Sequence, residues 1–170
     1  MYVLTAYSDR NAKVKMMCLG HVLLEEHTPK GLGNHAAILT EYQEDLMEKM
    51  KLFLESIGYR GFSNFDIKFD PRDGKFKVFE INLRQGRSNY YVTHTSANIA
   101  RYPVGDLEGT LPTDTDFVKE PAFWHTVPKK IIYSYIRDKN TRETVNALVK
   151  SGRSGTSLWY RYDLRANPMR

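Results

Sequence analysis

The stretch from Asp66 to Arg87 constrains the fold most strongly, because it contains a turn that two alternating segments flank. The segments are residues 62–69 (FSNFDIKF) and 75–82 (KFKVFEIN), and the turn between them reads Asp-Pro-Arg-Asp-Gly. Proline presets φ for a turn and glycine supplies positive φ, so the pattern predicts a β-hairpin with a short loop.

The polar side chains of this predicted hairpin fall on one face. Side chains two residues apart on a strand point the same way, so Glu80 and Asn82 share a face, as do Asn64, Asp66 and Lys68. A loop of three or five residues pairs positions whose numbers have an even sum, for example Asp66 opposite Glu80. A one-residue slip would instead send Asp66 to the other side of the sheet.

Two carboxylates and an amide oxygen in one patch suggest a cation site. Asp66, Glu80 and Asn82 offer the hard oxygen ligands that suit Mg²⁺ or Mn²⁺, especially where phosphates complete the shell. The alternative is an ordinary sheet surface on which Glu80 pairs with Arg84 or Lys68, a contact that contributes less than about 1 kcal/mol.

The order of these residues resembles the last hairpin of the ATP-grasp carboxylate–amine ligases. The resemblance rests on Asp66, thirteen intervening residues and then Glu80-Ile81-Asn82-Leu83-Arg84. It extends more weakly from about residue 2 to 100, through TAYSD, LLEEHTPKGLGNH and GYRGFSNFD. Within that family, the sequence is most similar to the bacterial D-aspartate ligase-like enzymes.

The resemblance implies an ATP-dependent ligase that forms an amide bond through an acyl-phosphate, with ATP and Mg²⁺ or Mn²⁺ as cofactors. Small carboxylate and amine substrates would be its partners. It implies that Asp66, Glu80 and Asn82 hold the metal, and that Arg84 and Arg87 act at the acyl-phosphate and at the substrate carboxylate. Three further residues are predicted to contact the cofactor or substrate: Asn64, Lys68 and His35.

The sequence departs from the family at its nucleotide-binding half. No glycine-rich lid precedes the first strand, and no Lys/Glu pair for adenine can be located. The chain is therefore expected to be the C-terminal part of a longer ligase, whose N-terminal part is a missing partner, and to bind ATP weakly or not at all on its own. The alternative function is a non-catalytic binding or regulatory remnant of the fold.

Composition narrows the remaining classes. The chain has 170 residues and a net charge of +5, but its basic residues are scattered, which argues against nucleic acid as a partner. It has no run of eighteen apolar residues and no signal peptide, so we expect a cytoplasmic protein without a membrane partner. The single Cys18 lies in an apolar run and is interpreted as a packed thiol.

The first part of the chain predicts further strands and one long helix. Segments 2–8 and 13–19 read as an antiparallel hairpin, which residues 21–24 continue. Residues 40–57 show helical periodicity, with Thr40 and Gln43 as a capping box and Gly58 as the stop. This helix is expected to pack on the apolar face of the first-described hairpin, formed by Phe65, Ile67, Phe79 and Ile81.

Beyond residue 102, an extended linker is predicted to Trp124, followed by a helix over 129–137. A second helix is predicted from Asn140 to Gly152, then a strand over 156–162. The fold class is therefore α+β: an antiparallel sheet with packed helices, the C-terminal lobe of an ATP-grasp fold. Residues 1–102 would form that lobe, and 103–170 a linker with a small, mainly helical extension.

Overall fold

The computed structural model describes residues 1–157, which form one sheet of eight strands with five helices. The strands are β1 (Tyr2–Ser8), β2 (Val14–Glu25), β3 (His35–Glu41), β4 (Gly61–Asp70), β5 (Lys75–Asn82), β6 (Asp116–Phe117), β7 (Phe123–His125) and β8 (Ser154–Thr156). The helices are α1 (Glu44–Ser56), α2 (Tyr90–Thr93), α3 (Arg101–Glu108), α4 (Lys129–Tyr135) and α5 (Lys139–Lys150).

The strands lie in the order β5-β4-β1-β2-β3-β7-β8, and β6 pairs with β2. All pairings from β5 to β7 along this order are antiparallel, which confirms the predicted α+β class. The sheet is nevertheless mixed, because β6 runs parallel to β2 and β8 runs parallel to β7. Strands β6 and β8 are short and follow long connecting segments, so their pairing could not be predicted from alternation of residues within the strands.

Both faces of the sheet are covered, because side chains of the central strands alternate between two cores. Val3 and Tyr7 of β1 lie in one core with Tyr91, next to helix α2. Leu4 and Ala6 lie in the opposite core, where helix α1 contributes residues such as Leu54. A third core forms between β3, β7 and the helices α4 and α5. Polar residues on the Val3 face therefore lie on the side of the sheet that α2 covers.

The predicted helix over 40–57 begins later than expected. Helix α1 starts at Glu44, and Thr40 belongs to strand β3, so the capping-box prediction was wrong. The Thr40 hydroxyl accepts a hydrogen bond from the Ala122 amide at 2.7 Å, which uses its capping capacity in the sheet. The predicted stop is confirmed, since the helix cap at Ile57 is followed by Gly58 with φ of +66°.

Helix α1 packs on only part of the predicted surface. Phe65 and Ile67 of β4 are fully buried in its core. Phe79 and Ile81 of β5 stay 53% and 42% exposed, so their predicted burial against the helix was wrong. Strand β5 is the edge of the sheet, and helix α1 contacts the sheet chiefly over β2.

Two predictions for the second half of the chain need correction. The predicted linker contains helix α3, which ends at Gly109 with φ of +70°. The last helix begins at Lys139, one residue before the predicted start, and its cap is Asp138, whose carboxylate accepts a hydrogen bond from the Thr141 amide. The helices over 129–137 and 140–152 are otherwise confirmed as α4 and α5.

Strand β8 covers the start of the predicted strand over 156–162, and the remainder lies outside the described residues. Cys18 is fully buried, and burial raises the pKa of its thiol, which fits a packed thiol. Within residues 1–157, none of the helices is long and apolar enough to cross a membrane.

Candidate functional site

The hairpin of β4 and β5 contains an irregularity that aligns its acidic residues. Near the turn, Asp70 pairs with Lys75 and Ile67 pairs with Val78. The register then shifts, and Asp66 pairs with Glu80. Phe79 is the extra residue of a β-bulge. The predicted pairing of Asp66 with Glu80 is confirmed. It results from the bulge, whereas the prediction had attributed it to a loop of three or five residues.

The aligned polar residues form two rows across three strands. Asp66 pairs with Val3 of β1 on one side and with Glu80 of β5 on the other. In the next row on the same face, Asn64 pairs with Thr5 and with Asn82. Since Val3 belongs to the core beside α2, both rows open on that side of the sheet. Asp66, Glu80 and Asn82 therefore share the face that the sequence predicted.

The rows open into a cavity of about 800 Å³. Its lining includes all eight residues that were predicted as site residues: His35, Asn64, Asp66, Lys68, Glu80, Asn82, Arg84 and Arg87. Strand β3 supplies His35, the β4–β5 hairpin supplies the metal candidates, and the segment after β5 supplies the two arginines.

The partly buried Asp66 carboxyl lies near two other carboxyl groups. Burial is the largest cause of its raised pKa, and the neighbouring carboxylates of Glu80 and Glu25 raise that pKa further. The nearest histidine nitrogen, His35 Nε2, lies 4.0 Å from Asp66 Oδ1. Burial lowers the pKa of His35, so its ring is a poor counter-cation. A cation between these carboxylates would relieve their repulsion.

The donor set fits a hard divalent cation. Within residues 1–157, no Lys, Arg or His forms an ion pair with Glu80. The alternative interpretation, in which Glu80 pairs with Arg84 or Lys68 on the sheet surface, is therefore not observed. The Lys68 ammonium instead lies 5.0 Å from the centre of the Phe79 ring, and Arg84 Nη1 donates to the Gln85 carbonyl at 3.3 Å. Over the described range, no cluster of three or more His, Cys, Asp or Glu is arranged to hold a metal. Asp66, Glu80 and Asn82 offer two carboxylates and an amide oxygen, so phosphate or water oxygens would have to complete the shell of a metal bound there.

Two buried asparagines form the inner wall of the cavity. The Thr5 hydroxyl lies 2.9 Å from Asn64 Oδ1 and 3.3 Å from Asn89 Oδ1. The Asn64 nitrogen donates to the backbone carbonyl of Arg84. The side chain of Asn64 thereby ties the segment after β5 to the centre of the sheet.

The lining also contains residues that were not predicted individually as site residues, among them Glu25, Glu26 and Asn89. Glu26 Oε1 lies 3.5 Å from an Arg87 guanidinium nitrogen, so it restrains that exposed side chain. The available signal for Glu25 and Glu26 was their position in the segment LLEEHTPKGLGNH, just before its two glycines. The signal for Asn89 was only its position shortly after Arg87.

The sequence is similar to a curated ligase. It is 44% identical over 170 residues to D-aspartate ligase from Enterococcus faecium, an alignment that covers 96% of this chain. The chain spans only 40% of the length of that relative. No protein-family model matches the sequence.

Solved structures share the fold at low sequence identity. N5-carboxyaminoimidazole synthetase from Staphylococcus aureus, complexed with ADP, matches with a TM-score of 0.52 and 14% identity, over 82% of this chain and 38% of that one. The biotin carboxylase subunit of a pyruvate carboxylase matches with a TM-score of 0.54 and 12% identity, over 72% and 28%.

A third match is the biotin carboxylase domain of 2-oxoglutarate carboxylase from Hydrogenobacter thermophilus, in complex with MgADP and bicarbonate. Its TM-score is 0.51 at 12% identity, over 68% of this chain and 26% of that one. These neighbours are ATP-grasp enzymes, and they support the fold independently of the ligase alignment. In sequence and fold, this chain resembles the ATP-grasp carboxylate–amine ligases.

Proposed function

We propose that this chain is the metal- and phosphate-binding part of an ATP-dependent ligase that joins a carboxylate to an amine through an acyl-phosphate. The observation that carries the proposal is the alignment of Asp66, Glu80 and Asn82 on one face of the hairpin, at a cavity that two arginines also line. The name of the E. faecium relative makes D-aspartate the first carboxylate to test.

The metal is proposed to bind Asp66, Glu80 and Asn82. When bound, Mg²⁺ would supply positive charge that neutralises the phosphate oxygens of ATP. The raised pKa of Asp66 supports this role, because a carboxyl that is partly buried and lies near Glu80 and Glu25 would be stabilised in its charged form by a nearby cation.

The two arginines are proposed to hold the reacting anions. In the first step, a substrate carboxylate oxygen bonds to the γ-phosphorus and ADP leaves. In the second step, the amine nitrogen bonds to the acyl carbon, phosphate leaves and the amine loses a proton. Arg84 would hold oxygens of the transferred phosphoryl group, and Arg87 would hold the substrate carboxylate.

His35, Lys68 and Asn64 are proposed to support the ligands in different ways. His35 and Lys68 line the same cavity and would contact phosphate or substrate oxygens directly. Both groups of the Asn64 amide already bind protein atoms, at Thr5 and at the Arg84 carbonyl. We therefore assign Asn64 the task of positioning Arg84 and not of contacting the cofactor.

The chain spans two fifths of the relative, so nucleotide binding is proposed to need residues beyond it. Within the chain, we also propose that an ATP-grasp lobe ends near residue 102 and that an extension follows it. Strands β6 to β8 of the extension add to the sheet of the lobe, which predicts that the two parts unfold together.

A chimera tests the proposed activity. The matching segment of E. faecium D-aspartate ligase is replaced by this chain, and D-aspartate-dependent ADP formation is measured. We expect activity in the chimera and a loss of about 100-fold or more in kcat with Glu80→Gln, at an unchanged melting temperature. Glu143→Gln, on the exposed side of α5, is the control and should retain full activity.

Each failure of this experiment has a distinct meaning. If Glu80→Gln retains full activity, the metal assignment is wrong. If the chimera folds and binds MgATP but forms no ADP, the chain is better described as a non-catalytic remnant of the fold.

A further inference from the structure

The side-chain amide of Asn89 stands out on the inner wall of the cavity. Asn89 is only 3% exposed and lines the cavity, yet its Nδ2 has no hydrogen-bond partner among residues 1–157. A buried N–H group without an acceptor destabilises a fold, so such groups are rare and need an explanation. A ligand oxygen in the cavity would provide the missing acceptor.

The Asn89 amide faces Thr5 with its oxygen in this structure. Asn64 Oδ1 lies 2.9 Å and Asn89 Oδ1 lies 3.3 Å from the Thr5 hydroxyl oxygen, whose single proton can be donated to only one of them. The Asn89 nitrogen is on the other side of the amide and points away from Thr5. The Asn64 nitrogen reaches the Arg84 carbonyl, whereas the Asn89 nitrogen reaches no protein acceptor.

Gly86 leaves the space that this arrangement needs. A Cβ atom at position 86 would lie 2.8 Å from Asn89 Oδ1 and 3.5 Å from the Asn64 side chain, with the first distance shorter than real Cβ atoms show. Any larger residue would therefore displace the Asn89 amide from the wall. The absence of a side chain at Gly86 thus leaves room for the Asn89 amide at the cavity wall.

A second buried side chain lacks a partner on the same wall. His35 is 8% exposed and also lines the cavity, and its Nε2 has no hydrogen-bond partner in the described part of the chain. Its Nδ1 lies 3.3 Å from the hydroxyl of Ser88, the residue next to Asn89. Two neighbouring buried groups with unused hydrogen-bonding capacity indicate a polar ligand at this wall.

We propose that Asn89 binds the acid substrate, with Nδ2 donating a hydrogen bond to a carboxylate oxygen. This inference rests on the proposed ligase function and adds a substrate-binding residue to it. An N–H donor selects an oxygen with a lone pair and rejects an ammonium group. Arg84 and Arg87 line the same cavity, and they would supply the positive charge that a carboxylate needs once the substrate replaces Glu26 at Arg87.

Nuclear magnetic resonance of the ¹⁵N-labelled chain tests this proposal, with D-aspartate as the probe and inorganic phosphate as the competing probe. The Asn89 side-chain amide signal is identified by its loss in Asn89→Asp. That variant keeps the shape and the oxygen facing Thr5, but replaces the donor by an anion. We expect D-aspartate to shift the Asn89 amide signal, and Asn89→Asp to weaken D-aspartate binding at least about tenfold.

The same substitution at Asn146, on the exposed side of α5, is the matched control and should leave the affinity unchanged. The proposal is overturned if D-aspartate leaves the Asn89 signal in place, if only phosphate moves it, or if Asn89→Asp binds D-aspartate normally. The Asn89 side-chain amide signal is also assigned in the wild-type chain from its correlations to the Asn89 backbone, so the answer does not depend on whether the variant folds.

This experiment can fail independently of the proposed function, because Mn²⁺ binding at Asp66, Glu80 and Asn82 is measured separately on the same sample. A normal metal site with no D-aspartate response contradicts only the role of Asn89. A normal D-aspartate response with no metal site contradicts the proposed metal- and phosphate-binding function.

Discussion

Asp66 and Glu80 face each other across β4 and β5 because Phe79 is an extra residue in the register of the hairpin. If the pairing near the turn continued without the bulge, Phe79 would oppose Asp66 and Glu80 would oppose Phe65. The Glu80 carboxylate would then lie on the face that packs against α1. The bulge therefore places the second acidic group at the cavity.

Deletion of Phe79 should preserve this alignment. Glu80 would follow Val78 directly and would still pair with Asp66, now in a regular ladder. Cross-strand nuclear Overhauser effects between the two residues measure this pairing. Effects between Glu80 and Phe65 instead would show that our explanation of the register is wrong.

Leu54→Ala should destabilise the fold by about 2–5 kcal/mol, because the Leu54 side chain is fully buried between α1 and the sheet. Urea unfolding measures the change. Leu52→Ala on the same helix is the control, and at 63% exposure it should change the free energy of unfolding by no more than about 0.5 kcal/mol. Equal effects of the two substitutions would contradict the packing of α1.

Gly86→Ala should destabilise the fold by about 1–3 kcal/mol, because its Cβ would meet the Asn89 side chain. Removal of that side chain should relieve the clash, so Gly86→Ala should cost less in an Asn89→Ala background. A double-mutant cycle of unfolding free energies measures this coupling. Strict additivity of the two changes would show that the contact does not exist.

Stability should fall as the pH is lowered from about 7.5 to 5. Burial lowers the pKa values of His125, His94 and His35. Their unfolded values lie near 6.5, so below that pH the unfolded chain binds more protons than the folded one, and the linkage favours unfolding. Their contribution to stability is complete above the unfolded pKa and is lost as the pH falls through it.

His125→Asn should reduce this pH dependence, since it removes one titrating ring while an amide can still donate to the Val127 carbonyl, which His125 Nδ1 contacts at 2.8 Å. Urea unfolding at several pH values measures the slope. An unchanged slope in the variant would contradict the assignment of His125.

The hairpin and its motif were predictable because they depend on residues close together in the sequence. Alternation placed β4 and β5, and the spacing of Asp66 and Glu80 suggested their pairing. The bulge was not predictable from a count of loop residues, because it depends on how the finished sheet twists and packs. The predicted pairing of Asp66 with Glu80 is correct, but the loop length that predicted it is not the physical cause.

Other features depended on distant parts of the chain. Thr40 looked like a helix cap, but its hydroxyl binds the Ala122 amide of a segment far along the sequence. The unpartnered amide nitrogen of Asn89 could not be predicted, because the environment of this side chain depends on Thr5 of the distant strand β1. Local pattern therefore gave the metal candidates and the hairpin, while tertiary contacts decided the cavity wall and the start of α1.

The central claim is that Asp66, Glu80 and Asn82 form a divalent cation site, and Mn²⁺ titration of this chain tests it most directly. Paramagnetic line broadening should be strongest at the amides of these residues. Asp66→Asn and Glu80→Gln should each weaken Mn²⁺ binding at least about tenfold, while Glu143→Gln should bind Mn²⁺ normally. Broadening confined to other acidic residues, or equal Mn²⁺ affinity in all variants, would contradict the account.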